Sequence, residues 1–379
     1  METSVKLTGY QWMIMAAFFT VGSGTLVIPS GIAMLSRQDA WISALIGLAA
    51  GLLVNIVHLA AARSYPHLSW VELNQKLLGY WVGSAVSWLY IITAIGGGAV
   101  LLLSFLGEFI VTSVLVGTPQ SVIQLMFVLV VALALRLGLR TIAYSTEVLF
   151  PIVIVIYVMM VGFSIPNMEL DNILPIFDTG IRPILLSTFV YLSFSTMPRV
   201  FLLMLFPATI DSKKKYQAYM VGCIVGSLIL ILLIAACLLV LGPEVTARKV
   251  YPSYFLARKI SLGHFVARIE VLMATIWLIA LFYKLVLYVY IGMLGIAQLL
   301  HIKDSKILTY PILSLLIPLS YATTATSHQL ALIDMRVWPI VITILGFIMP
   351  LLLWVAVWVR KWKGGEERRE SQTENVQHE

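Results

Sequence analysis

Residues 21–31 read VGSGTLVIPSG, and they lie inside the first apolar segment that is long enough to cross a membrane. Gly22 and Gly24 weaken a helix, and Ser23 and Thr25 place hydroxyl groups where a spanning helix usually carries leucine. This composition predicts that the first membrane helix is interrupted about a dozen residues from its start. The rest of the chain indicates what the interruption is for.

The composition predicts a polytopic membrane protein. Of the 379 residues, 60% are hydrophobic and 11% are charged, which excludes an ordinary soluble domain. Apolar runs such as residues 227–242 approach the roughly 20 residues that a helix needs to cross a ~30 Å hydrocarbon core. The start of the chain lacks the pattern of a cleaved signal peptide, so we expect the first apolar segment to belong to the mature fold. The net charge of +7 is expected to reflect cytoplasmic loops rather than nucleic-acid binding.

Hydropathy along the chain predicts ten spans. Their approximate bounds are 10–35, 40–62, 81–107, 119–137, 141–165, 182–206, 216–241, 265–298, 306–322 and 336–359. If the N-terminus is cytoplasmic, 15 of the 25 Lys and Arg residues fall on cytoplasmic segments. The positive-inside rule therefore favours cytoplasmic N- and C-termini.

The spans divide into two halves of five. The predicted parts are a cytoplasmic N-terminus (1–9), a first five-helix repeat (10–165), an extracytoplasmic loop (166–181), a second five-helix repeat (182–359) that contains an amphipathic outer loop (244–264), and a disordered cytoplasmic tail (360–379). Because five is odd, the second half enters the membrane from the opposite side, which is the condition for an inverted repeat.

A second interruption is predicted at the matching place in the second half. The sixth span begins near Arg182 and meets LSFSTMP at residues 192–198, again about a dozen residues from its start. Two interrupted helices at corresponding positions are the sequence feature that best indicates a transporter-type binding site. The alternative is that the glycines allow close helix packing and the hydroxyl groups bond within their own helices.

Interrupted helices suit a small zwitterion. Unpaired backbone costs several kcal/mol in lipid, so it persists only where it faces a protein cavity with a polar partner. The start of a half-helix offers free N–H groups to a carboxylate, and the end of a half-helix offers free carbonyl groups to an ammonium or a metal cation. An amino acid carries both charges.

Several sequence blocks resemble a known family. They are LVIPSGIAMLSRQDAWISALIG (26–47), in which Arg-Gln-Asp-Ala-Trp is distinctive, YPHLSWVELNQKLLGYWVG (65–83), TPQSVI, STEVLFP and NILPIFDTGIRPIL. Over residues 5–360 the chain resembles the B subunits of bacterial spore germinant receptors. This is the spore-germination amino-acid permease family of the amino acid–polyamine–organocation superfamily.

The resemblance implies a five-plus-five inverted repeat and a small germinant, such as an amino acid, bound between spans one, three, six and eight. It also implies two partners in the spore inner membrane, an A subunit and a lipoprotein C subunit. The broken-helix site of the family maps onto Gly22, Ser23, Gly24, Thr25, Ser193, Phe194, Ser195 and Thr196. This chain departs from the family at Pro198-Arg199, where many members carry Gly-Glu, and at Tyr144, where many carry Arg. These departures bear on the ligand more than on the fold.

Charged residues that fall inside predicted spans, away from the span ends, are functional candidates for that reason. We expect Glu147, Arg199 and Lys284 to share one layer of the cytoplasmic half, with Glu147 paired to Arg199 or Lys284 to hold an inner gate closed. The alternative for Glu147 and Arg199 is that their side chains extend to the inner membrane surface. In transporters that the chain resembles, a cation site lies between spans one and eight, and the Lys284 ammonium is expected to take its place.

Two further positions are candidate pocket residues. Gly97 lies in IGGGAV (95–100) in the middle of span three, where missing side chains either admit a neighbouring helix or leave room for a ligand. Tyr283 of span eight is a candidate lining residue, although tyrosines also gather at membrane interfaces. No cofactor or metal site is predicted, since Cys223 and Cys237 do not form a CxxC pair.

Four functions compete at this point. The sequence favours a ligand-sensing receptor subunit, and the main alternative is a stand-alone amino-acid permease coupled to protons through Glu147. A purely structural subunit would not need two matched helix breaks. HExxH, GxSxG and Walker motifs do not occur in the sequence, so we do not expect an enzyme.

Overall fold

The structure is a computed structural model that describes residues 6–210, 214–259, 269–323 and 336–360. Within these ranges the chain is helical, apart from turns, short connections and one isolated β-bridge between Leu7 and Thr209. The helices are α1 (Gly9–Val21), α2 (Gly24–Ser36), α3 (Ala40–Ser64), α4 (Trp70–Leu78), α5 (Tyr80–Ile92), α6 (Leu101–Phe109), α7 (Gln120–Leu137), α8 (Leu139–Ser164), α9 (Ile181–Ser195), α10 (Lys214–Leu241), α11 (Pro243–Arg248), α12 (Pro252–Lys259), α13 (Ile269–Leu299), α14 (Thr309–Thr323) and α15 (Trp338–Arg360).

Eight helical stretches of the described chain are long and apolar enough to cross a membrane. One of them, Gly24–Ser64, contains both α2 and α3. Helices α1 and α14 have 13 and 15 residues, and each is too short to cross the membrane by itself. The predicted all-helical membrane fold is confirmed, whereas the count of ten spans stays a prediction.

Four parts of the predicted organisation fall partly outside the described residues. These are the N-terminal segment (residues 1–5), the second five-helix repeat (211–213, 265–268 and 324–335), its outer loop (260–264) and the tail (361–379). The described part of the outer loop contains the two short helices α11 and α12.

Helix one is divided into two halves. Helix α1 ends at Val21, where the Gly22 N–H donates to the Phe18 carbonyl over 2.9 Å, and α2 begins only at Gly24. The φ and ψ angles of Gly22 are −12° and −90°, which lie outside the helical region. The predicted interruption is therefore present, and it falls at Gly22 and Ser23.

Helix six is also divided. Helix α9 ends at Ser195, and after Thr196 the chain continues as a 3₁₀ helix from Met197 to Ala208. A 3₁₀ helix of 12 residues is unusual, because most are only three or four residues long. Pro198, near its start, lacks a backbone N–H and cannot continue the α-helical hydrogen bonds of α9.

The two interrupted helices lie beside each other. Helix α2 packs against α9, and α13 packs against α1. Helix α15 also contacts α9, and the π-helical segment Thr93–Val100, which joins α5 to α6, packs on α13. Side chains from α13, α15 and this π-helical segment therefore meet between the two breaks.

The loop before helix six is fastened to the end of helix one by Asp39. Its Oδ1 accepts a hydrogen bond from the Phe177 N–H at 2.8 Å, and its Oδ2 accepts from the N–H and hydroxyl of Thr179 at 3.1 and 2.7 Å. Gln38 donates to the Asp178 carboxylate at 3.2 Å. The Arg-Gln-Asp-Ala-Trp block thus has a structural role, because it fixes the start of α9 relative to α2.

The short helix α4 was not predicted from the sequence. It starts with a capping box in which Ser69 and Glu72 bond each other's backbone N–H groups. The Ser69 hydroxyl also donates to Gln298 at the end of α13 over 2.7 Å. With nine residues, α4 is too short to cross a membrane.

Candidate ligand site between the helix breaks

Lys284 places a buried ammonium group at the break of helix one. Its Nζ atom donates to the Ser23 hydroxyl at 3.0 Å, and the side chain is 2% exposed. Nζ also lies 5.5 Å from the centroid of the Phe19 ring, within the range of a cation–π contact. The positive charge expected between spans one and eight therefore lies at the break of helix one, in contact with the Ser23 side chain.

Gly22 makes room for the lysine. A Cβ atom at this position would overlap Lys284 Cδ and would lie 2.9 Å from Lys284 Cβ. The glycine in the break therefore serves close approach as well as chain flexibility. The contact shows the close-packing interpretation of the VGSGT stretch, whereas ligand binding at the break stays a prediction.

A small cavity lies beside the ammonium group. Its volume is about 20 Å³, which is the space that one water molecule needs. The lining residues are Ser23, Val27, Gly97, Gly98, Leu101, Leu102, Phe105, Phe194, Lys284, Tyr288 and Trp338. Apart from Lys284 and Ser23, the walls are apolar, aromatic or glycine, and no Asp or Glu lines the cavity among the described residues.

Of the helix-one residues that were predicted to bind ligand, Ser23 lines the cavity and Gly22 contacts Lys284. Gly24 faces away, since a Cβ there would lie 3.1 Å from Leu230 of α10. Thr25 is fully buried outside the cavity lining, and its hydroxyl has no hydrogen-bond partner in the structure.

Of the helix-six residues, only Phe194 lines the cavity. The Ser193 carbonyl, in the last turn of α9, accepts a hydrogen bond from the Trp338 indole at 3.0 Å. The Ser195 hydroxyl donates to the Tyr191 carbonyl at 2.7 Å, and Thr196 accepts from Arg199. These polar groups have partners inside the protein, so the prediction that they contact ligand requires them to exchange partners.

Span three contributes Gly97 and Gly98 to the cavity wall. A Cβ at Gly97 would lie 2.9 Å from the Trp338 ring, and a Cβ at Gly98 would lie 2.7 Å from the Tyr288 ring. The glycines therefore admit aromatic side chains that themselves line the cavity. These contacts show the close-approach alternative for IGGGAV, whereas room for a ligand stays a prediction.

Tyr283 does not line the cavity. Its hydroxyl donates to Ser145 of α8 at 3.0 Å, and its ring stacks on Phe18 at 4.7 Å. Tyr288 takes the expected place, because residues four apart share a helix face and Lys284 already points to the break. The spacing from Lys284 is the sequence signal that would have chosen Tyr288.

The predicted ion pair of Glu147 is not the arrangement in this structure. Lys284 bonds Ser23, and the Arg199 Nη2 atom donates to the Thr196 hydroxyl at 2.6 Å. Glu147 is half-buried on α8 and forms no hydrogen bond or ion pair with either base within the described ranges. Arg199 is only 1% exposed, so it does not extend to the membrane surface either.

The fold resembles that of membrane transporters of known structure. The structure of MhsT in complex with L-phenylalanine is similar to this chain with a TM-score of 0.52 at 15% identity, covering 92% of this chain and 97% of that chain. The crystal structure of the Eremococcus coleocola manganese transporter mutant H236A is similar with a TM-score of 0.51 at 14% identity, covering 92% and 77%. At these identities the likeness concerns the fold alone.

The family model described as "Spore germination protein" matches residues 6–328, and the chain belongs to this family. Spore germination protein KB of Bacillus subtilis is 29% identical, over 93% of this chain and 94% of that protein. Spore germination protein YndE of the same organism is 25% identical, over 77% and 81%. The resemblance drawn from the sequence blocks is therefore confirmed.

Proposed function

We propose that this protein is the ligand-sensing subunit of a spore germinant receptor, with a non-enzymatic role. It binds a small germinant, an amino acid, where helices one and six are interrupted. The observation that carries the proposal is the buried ammonium of Lys284 on Ser23, beside a cavity that Phe194 of helix six also lines. Membership of the spore germination family supports the biological process.

The charges around the break indicate how an amino acid would lie. Its carboxylate meets Lys284 and the first N–H groups of α2, where a helix start favours negative charge. Its ammonium meets the last carbonyl groups of α1, where a helix end favours positive charge. Val27, Leu101 and Phe105 then surround the side chain, which favours a small aliphatic amino acid.

The size of the cavity indicates that binding requires a conformational change. A cavity for one water molecule cannot hold an amino acid, so the ligand must select or induce a wider state. Phe194 and Trp338 are the large lining side chains that contribute from helix six and α15. A receptor needs this coupling, because the ligand shifts the protein to another conformation only if it binds that conformation more tightly. The fold likeness to MhsT, whose structure holds L-phenylalanine, is consistent with an amino-acid ligand.

The assembly that we propose follows from the family resemblance. The chain works with an A subunit and a lipoprotein C subunit in the spore inner membrane. Its N- and C-termini lie on the spore-core side, as the distribution of Lys and Arg indicates.

The proposal is tested by amino-acid binding to the purified full-length protein in lipid nanodiscs, screened across the common amino acids. We expect one or a few small amino acids to bind, and Ser23→Ala to weaken that binding. Ser314→Ala is the matched control, because Ser314 is exposed on α14 and bonds within its own helix. Absence of binding by every amino acid, or equal affinities for Ser23→Ala and the wild type, would contradict the proposal.

Uptake by proteoliposomes distinguishes the receptor from a stand-alone permease. A sensing subunit binds without accumulating the amino acid. Accumulation that follows an imposed proton gradient and disappears in Glu147→Gln would favour the permease.

A further inference from the structure

A second polar cluster lies just beyond the break in helix six, outside the lining of the cavity. Its centre is Arg199, which is 1% exposed. The Nη2 atom donates to the Thr196 hydroxyl at 2.6 Å, and Nε donates to the Thr196 carbonyl at 3.3 Å. The Nη1 atom is buried and has no hydrogen-bond partner in the structure.

The groups around the guanidinium do not compensate its charge. Tyr191, Tyr219, Cys223 and His58 lie within electrostatic reach of Arg199. His58 Nε2 meets the Gly346 carbonyl at 2.5 Å and must donate to it, which leaves Nδ1 to accept from the Tyr219 hydroxyl at 3.5 Å. The histidine is therefore satisfied as a neutral ring, and these described neighbours include no carboxylate.

Asn55 brings a second set of unpartnered atoms to the same level. It is 1% exposed, and both Oδ1 and Nδ2 are buried without a partner. On α3 it lies on one stripe with Gly51, which faces Thr196, and with His58, which faces Tyr219. Because Thr196 and Tyr219 flank Arg199, the Asn55 amide faces the guanidinium region.

Two unsatisfied groups of this kind are costly in a membrane protein core. Arginine does not lose its proton, so the positive charge cannot be removed by titration. A direct contact between Asn55 Oδ1 and Nη1 would satisfy one donor but would leave the charge uncompensated. A small anion that accepts from both Nη1 and Asn55 Nδ2 would satisfy the donors and the charge together.

We propose that Arg199 and Asn55 hold a small inorganic anion of halide size between helix six, α3 and α10. The side chains around this site, Tyr191, Tyr219 and Cys223, are fully buried, so a monatomic anion suits the site better than an organic ligand. Arg199 does not line the cavity at Lys284, so this site is separate from the proposed amino-acid site. The anion stabilises the 3₁₀ segment that follows the break.

The test is the thermal unfolding of the full-length protein in nanodiscs of neutral lipid, titrated with sodium chloride against sodium gluconate at constant ionic strength. We expect a saturable rise of several degrees with chloride and with bromide, because a ligand that binds only the folded state stabilises it. We expect Arg199→Gln to lose this rise and Arg182→Gln, at an exposed arginine of the same helix, to keep it. A rise that persists undiminished in Arg199→Gln overturns the proposal.

Two measurements keep the test decisive if Arg199→Gln does not fold. Asn55→Ala keeps the guanidinium, and we expect it to raise the chloride Kd at least about tenfold, the loss of one good hydrogen bond to an ion. The wild type alone is the second measurement, since equal unfolding temperatures in chloride and gluconate overturn the proposal. Stabilisation by formate that exceeds that by chloride would overturn the halide assignment. Amino-acid binding by Arg199→Gln is expected to persist, so this proposal and the proposed function fail separately.

Discussion

The Lys284 ammonium lies 3.0 Å from the Ser23 hydroxyl, so a charge on α13 is anchored at the point where helix one is interrupted. The lysine also packs over Gly22 and lines the cavity between the two broken helices. One side chain therefore connects the packing of the break, its electrostatics and the proposed ligand.

Replacing Lys284 with methionine should weaken ligand binding without unfolding the protein. Methionine keeps an unbranched apolar stem over Gly22 but removes the charge that we propose binds the ligand carboxylate. A hydrogen bond to a charged group contributes about 1.5–3 kcal/mol, so we expect the affinity to fall at least about tenfold. Equilibrium binding measures this. Lys303→Met, at an exposed lysine, should leave the affinity unchanged, and a similar loss in both variants would argue against a specific role.

Gly22→Ala should destabilise the protein. The new methyl group would overlap the Lys284 stem, and overpacking of this kind costs about 1–3 kcal/mol. Gly162→Ala is the matched control, because a Cβ there meets open space. The double variant Gly22→Ala with Lys284→Ala should recover much of the loss. Thermal unfolding of the wild type, Gly22→Ala, Lys284→Ala and the double variant measures the coupling between the two residues. If the stability losses of the two single variants simply add in the double variant, the residues do not interact.

Asp39→Asn should loosen the loop before helix six. The asparagine oxygen still accepts from Phe177, but its NH₂ group cannot accept the two hydrogen bonds that Thr179 donates to Oδ2. We expect a loss of about 1–3 kcal/mol in stability. Hydrogen exchange in residues 175–180 should rise. The control Asp171→Asn, at an exposed residue, should leave hydrogen exchange in the loop unchanged. If hydrogen exchange in the loop is also unchanged in Asp39→Asn, Asp39 does not hold the loop in place.

Trp338→Phe should both weaken the structure and widen ligand selectivity. The indole N–H that bonds the Ser193 carbonyl is lost, which leaves a buried acceptor at a cost of about 1–3 kcal/mol. The smaller phenylalanine ring no longer fills the space beside Gly97, so amino acids with longer side chains should gain affinity relative to small ones. A binding panel measures the change. The control Trp81→Phe, at an exposed tryptophan, should keep the wild-type order of affinities. The same order in Trp338→Phe would contradict the prediction.

The membrane fold and both helix breaks were predictable from composition. Apolar length defines spans whatever the neighbouring helices do, and glycine, serine and proline interrupt a helix locally. For this reason the predicted break in helix one coincides with Gly22 and Ser23, and the family blocks identified the family to which the chain belongs.

The direction of individual side chains was not predictable. Successive residues on a helix point about 100° apart, so Tyr283 points away from the cavity that its neighbour Lys284 lines. Tyr283 was the tyrosine chosen from the sequence, whereas Tyr288 is the tyrosine that lines the cavity. Glu147 was expected to pair with Arg199 or Lys284 because their depths agree, but the lysine bonds Ser23 and the arginine bonds Thr196. Depth in the membrane follows from position in the sequence, whereas facing depends on how the helices are rotated in the packed bundle.

The position of the bound ligand tests the central claim most directly. An experimental structure of the full-length protein, saturated with an amino acid that binds it, should show the carboxylate in contact with Lys284 and the start of α2, and the side chain between Val27 and Phe194. Ligand bound elsewhere, with Lys284 still on Ser23 and the space beside it filled by protein, would contradict the account.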